Sequence, residues 1–153
     1  MITYSQIFTR FMTNKIDDPK FFSYPDSVAY EMMNEWLTAV FAKPFIQKLF
    51  DTFETDENLM QIEYELKYKG SQFQDDSFVI ELLATGMYIN YLTPQVNSTL
   101  HTMQMFGGKE EKFYSQAAHL EILEEKLKRA ELDLRKLVRD RNYVNIVGGD
   151  DNW

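Results

Sequence analysis

The sequence predicts a mainly α-helical fold: a helical bundle with a long C-terminal amphipathic helix, a small β element and an extended C-terminal tail. Three observations carry this. From Phe113 to Arg141 apolar residues recur at alternating spacings of three and four, with Phe113, Leu120, Leu127 and Leu134 at one heptad position and Leu123, Ala130 and Leu137 at the other. From Met60 to Lys69 the period changes to strict alternation, the mark of a half-buried strand. Between them, Phe78, Val79, Leu82, Leu83, Met87, Ile89, Tyr91 and Leu92 are apolar nearly all round a helical cylinder, so that helix is buried on most sides.

In chain order, Thr3 to Lys15 reads as a first helix. Thr3 and Gln6 have capping-box spacing, and Ile7, Phe8, Phe11 and Met12 form the apolar stripe. Asp17-Asp18-Pro19 and Tyr24-Pro25-Asp26 mark turns, with Phe21 and Phe22 anchoring the loop between them. Asp26 or Ser27 is expected to cap a second helix whose apolar face holds Val28, Met32, Trp36, Leu37, Val40 and Phe41, broadened by Ala29 and Met33. Pro44 stops or kinks it, and Phe45, Ile46, Leu49, Phe50 and Phe53 predict one or two further helical turns.

The Met60–Lys69 strand needs a partner for its backbone groups. Gln72–Gln74 folding back, Tyr143–Val147 from the C-terminal segment, and a neighbouring subunit are the three options. Asp75-Asp76-Ser77 is expected to cap the buried helix, Ala84-Thr85-Gly86 to let another helix approach closely, and Thr93-Pro94 to end it. Gln95–Phe106 is polar and moderately helical. Gly107-Gly108 reads as a hinge, and Ser115 as the N-cap of the long helix. That helix would be about 40 Å long at ~1.5 Å per residue. Its polar face carries Glu124→Lys128, Glu125→Arg129 and Glu131→Arg135 pairs in the favourable i,i+4 order. Its seam is too long for one small domain to cover, so it meets the rest of the chain, another subunit, or both.

Residues 1–142 thus form one domain and 143–153 a tail. Tyr143, Val144, Ile146 and Val147 continue no amphipathic helix; Gly148-Gly149, Asp150-Asp151 and Trp153 follow. The tail is either a frayed end or an arm that adds to a strand edge of a neighbour, with Trp153 in a pocket.

The chain of 153 residues is 44% hydrophobic and 15% aromatic, enough for a core rich in Phe and Tyr. A net charge of −8 argues against a basic nucleic-acid footprint or a polybasic membrane patch. With no cysteine, thiol catalysis, disulfides and cysteine-based zinc sites are excluded. Met1–Lys15 lacks a signal-peptide apolar core, and no apolar run is long enough to cross a bilayer. His101 and His119 have no ligand at metal-binding spacing. Asp17-Asp18, Asp75-Asp76 and Asp150-Asp151 could meet a cation, but each also sits where turns and helix caps favour Asp. Gly107-Gly108-Lys109 lacks the other parts of a phosphate loop. No catalytic, cofactor or metal site is expected.

One stretch adds to this reading. Gly86-Met87 followed by Tyr91-Leu92-Thr93-Pro94-Gln95-Val96-Asn97, then Phe113-Tyr114-Ser115-Gln116-Ala117, then the charged heptad helix to Tyr143, resembles the small head–tail connector proteins of tailed bacteriophages, also called adaptor or head-completion proteins. The N-terminal half matches them only in helix order. The resemblance implies a non-enzymatic virion protein of the neck, assembled in the host cytoplasm as a dodecameric ring between portal protein and tail or other neck proteins. DNA would pass through its lumen without sequence-specific binding, and no membrane or cofactor would be involved. Leu120, Leu123, Leu127, Leu134, Leu137, Tyr143, Val144, Ile146, Val147 and Trp153 are the candidate oligomer or partner contacts. The competing class is a non-viral coiled-coil module or adaptor that binds a partner helix. A closed ring would use heterologous contacts and a dimer isologous ones.

Overall fold

The chain begins with a two-residue strand, β1 (Ile2–Thr3), that runs straight into helix α1 (Tyr4–Asn14). The expected capping box is present: the Thr3 hydroxyl accepts from the Gln6 amide at 3.2 Å, and the Gln6 side chain accepts from the Thr3 amide at 2.8 Å. A computed structural model describes residues 1–106 and 110–148. Short helix α2 (Pro19–Phe22) has Asp18 as its N-cap and Pro at its start, and α3 (Asp26–Phe41) follows. The N-cap of α3 is Pro25 and makes no side-chain bond, so Asp26 lies inside the first turn instead of before it, where its charge still faces the positive helix end. Of the face predicted for α3, Leu37 and Val40 are buried with Met33, while Val28 is exposed.

Pro44 opens a single turn, α4 (Pro44–Gln47), and the helical pattern predicted through Phe53 ends there. The next element is strand β2 (Phe50–Asp56), antiparallel to β3 (Gln61–Leu66). The helix-like three-residue spacing of Phe50 and Phe53 has a local cause. A register shift between Phe50 and Thr52 inserts one residue, so Phe50 and Phe53 return to the same sheet face with rings 4.8 Å apart. On β3 the alternation holds, with Ile62 and Leu66 buried and Glu63 and Glu65 exposed. Met60 belongs to the hairpin turn, at φ 53°, and its carbonyl accepts from the Tyr4 amide at 2.9 Å. The sheet order is β1-β3-β2, so the partners of β3 come from the same chain. Neither Gln72–Gln74 nor Tyr143–Val147 pairs with it.

Two long helices complete the fold: α5 (Gln72–Phe106) and α6 (Glu110–Gly148). Both outrun their predicted bounds. Pro94 does not end α5. The Thr93 hydroxyl donates to the Ile89 carbonyl at 2.8 Å, and the Gln95 Nε2 to the Tyr91 carbonyl at 3.2 Å, so side chains bond carbonyls next to the one that Pro94 cannot. At the other end α6 starts at Glu110, before Ser115. It also passes through Tyr143–Val147, where an extended segment was expected. Extending a helix adds one bond per residue fixed, and β-branched residues lower the propensity by only a few tenths of a kcal/mol.

The core lies where α1 and α3 pack against the first half of α5, with the sheet at one end. Gly86 explains the close approach. A Cβ there would sit 2.8 Å from both methyl carbons of Val40 on α3, so the small stripe Ala84-Thr85-Gly86 does admit a helix, as predicted. Phe11, Phe21, Trp36 and Tyr91 join these elements through edge-to-face and tilted ring contacts.

Candidate interaction surfaces

The apolar seam of α6 lies against its own chain. Leu120, Leu123, Ala130, Leu134 and Val138 are buried, and Leu127 is half-buried against the core. Leu137, the predicted seam residue, is only half-buried, and Val138 takes its place. A straight helix turns once per 3.6 residues, so a heptad seam drifts by about 20° per repeat; from Leu120, five full turns end at Val138. The seam is therefore that of a straight helix packed on α5. Of the tail candidates, Tyr143, Val144, Ile146 and Val147 are on the α6 backbone, and Trp153 lies outside the described residues.

At the sheet end of the bundle, three segments meet at one ion pair. Asp75, in the first turn of α5, accepts from the Gly70 amide at 3.0 and 3.2 Å and pairs with the Arg141 guanidinium of α6. The side chains of Arg141 and Asp75 are 14% and 9% exposed. Arg141 also donates to the Tyr68 carbonyl at 3.2 Å and lies over the Phe78 ring at 5.3 Å, while its buried Nε has no partner among the described residues. Next to Asp75, Asp76 accepts from the Tyr64 hydroxyl, whose pKa burial and this carboxylate push up. Asp75 and Asp76 thus serve tertiary bonds and not the helix cap predicted from their position. Around Arg141 lies a cavity of about 270 Å³ that Lys48, Leu49, Leu66, Lys67, Tyr68 and Phe78 also line. The sequence carried no local signal for this junction, because Asp75 and Arg141 are 66 positions apart.

The same end exposes apolar side chains. Phe73 is 84% and Tyr68 59% exposed, with Lys67 and Lys69 beside them. Further along, a groove of about 550 Å³ between α5 and α6 has Val96 and Leu127 as apolar lining and Glu121, Glu124, Glu125 and Glu131 around them; Lys128 also lines it. Glu125 is bridged to Arg129 at 3.4 Å, but Glu121 and Glu124 have no ion-pair partner among the described residues.

Other polar groups hold the body together. Glu81 on α5 binds Arg10 at 2.9 Å and also Lys15; burial would raise its pKa, and the two cations hold it below the ordinary value. The Tyr91 hydroxyl donates to Asp18 at 2.6 Å; burial and this bond push it up to about 12, while the same bond helps hold Asp18 low. Among the described residues no cluster of His, Asp or Glu could hold a metal ion, and no helix is long and apolar enough to cross a membrane. No protein-family model, curated protein or solved structure matches this chain.

Proposed function

We propose that the chain is a structural subunit of the neck of a tailed bacteriophage, a head–tail connector that assembles as a ring between portal and tail, lets DNA through its lumen, and performs no catalysis. Its place would be the virion, reached by assembly in the host cytoplasm. The observation that carries the reading is the α5–α6 hairpin. Its inner half is built into the body, while farther out Leu100, His101, Tyr114, Ser115, Ala118 and His119 are exposed. Two helices of 35 and 39 residues thus reach beyond what their own chain covers, a shape suited to lateral contacts with copies and neighbours. An acidic chain also suits a conduit, since a lumen that bound phosphates tightly would retain the genome.

The rival reading, a coiled-coil module for a partner helix, needs the α6 seam to be free. Here Leu123, Leu134 and Val138 belong to the core of the chain itself, which favours the connector. The mass of the full-length protein in solution, alone and mixed with a portal ring, tests the proposal. The expected result is a closed oligomer, formed alone or on the portal. A protein that stays monomeric in both conditions is not a connector.

A further inference from the structure

We infer that the basic, aromatic segment that leads from β3 into the start of α5 (67–73) of one copy docks into the acidic groove between α5 and α6 of a second copy. This rests on the ring reading and names the surfaces that would build it. The segment offers Tyr68 and, on the first turn of α5, Phe73, the most exposed large apolar side chain of the described residues, beside Lys67 and Lys69. Lys67 has no ion-pair partner among the described residues, and Lys69 has only the exposed Glu65 at 3.7 Å. The groove offers the complement: a Val96 and Leu127 lining, and Glu121 and Glu124, which have no ion-pair partner among the described residues. Its volume of about 550 Å³ is enough for an aromatic side chain to enter.

A chain cannot make this contact with itself. Phe73 and Val96 belong to the same helix and lie about 35 Å apart along it at ~1.5 Å per residue. Two different surfaces that complement each other at a distance form a heterologous contact, which repeats from copy to copy and gives a ring where the rotation closes and a filament where it does not. The aromatic side chains supply the buried area. The charges supply orientation and rate, and weaken with salt.

The test reverses each surface in the full-length protein and follows self-association by sedimentation at low and moderate salt, with circular dichroism to confirm folding. Lys67→Glu with Lys69→Glu, and separately Glu121→Lys with Glu124→Lys, should each weaken association by about tenfold or more. The chain that carries all four changes should recover most of it. Phe73→Ala should weaken association without lowering the melting temperature, because the side chain is exposed in the monomer. If the wild type associates and neither reversal alters it, or if the fourfold variant is folded but no better than either pair, the docking is wrong. A wild type that is monomeric at every concentration, with or without portal, overturns the ring and the docking together. Reversals that act as expected on a complex of only two copies support the docking and overturn the ring.

Discussion

The inner and outer halves of the α5–α6 hairpin are made from the same two helices but are held in different ways. In the inner half, Val79, Leu82, Leu83 and Met87 are fully buried, Gly86 admits Val40 of α3, and Glu81 is tied to Arg10 and Lys15. In the outer half, Leu100, Tyr114 and His119 are exposed. The difference teaches where spare surface is located. Burial by the chain's own body stabilises the inner half, and the exposed residues beyond it gain no such support.

The largest effect should come from matched truncations on the two sides of this divide. Leu37→Ala, at a fully buried position of α3 in the core, should cost about 2–5 kcal/mol in urea unfolding. Leu100→Ala, in the outer half, should stay within about 0.5 kcal/mol. Similar costs at both positions would mean that the outer half is as firmly packed as the inner one.

A smaller effect is expected at the lower end of the hairpin. Arg141→Ala leaves the Asp75 carboxylate buried without its cation and should cost about 3 kcal/mol. Replacing both, Arg141→Met with Asp75→Leu, should recover much of that, because no unpaired charge is left behind. A double variant as unstable as the single one would show that packing, not charge, is what Arg141 contributes.

The smallest is a pH effect confined to the inner half. The folded pKa of Glu81 lies below its ordinary 4.5, so the stability it contributes is complete above that value and is lost as pH falls through the folded pKa. Glu81→Gln should therefore flatten the acid limb of the stability profile and leave its slope above neutral pH unchanged. An unaltered acid limb would remove Glu81 from the account. Tyr91 works in the opposite direction: burial and its bond to Asp18 raise the hydroxyl pKa, which gives stability below about pH 10 that is lost between there and about 12.

Local pattern alone determined the elements whose chemistry is local. The Thr3–Gln6 capping box, the alternation of Ile62, Tyr64 and Leu66, the buried character of the Val79–Leu92 helix and the apolar seam from Leu120 to Leu134 all follow from spacings within a turn or two. What the tertiary structure decided are the matters that depend on distant residues. The strand partner was one of these: Phe50 and Phe53 mimic a helix until the bulge at the β2–β3 pairing brings both to one face. Helix ends were another, since packing along α6 and side-chain bonds at Ile89 and Tyr91 carry α5 past Pro94, which local propensity reads as a stop. The Asp75–Arg141 junction joins residues that no pattern connects. The seam itself was legible, but which partner covers it was not: an apolar stripe says only that it must be buried, and the chain's own α5 is what buries it.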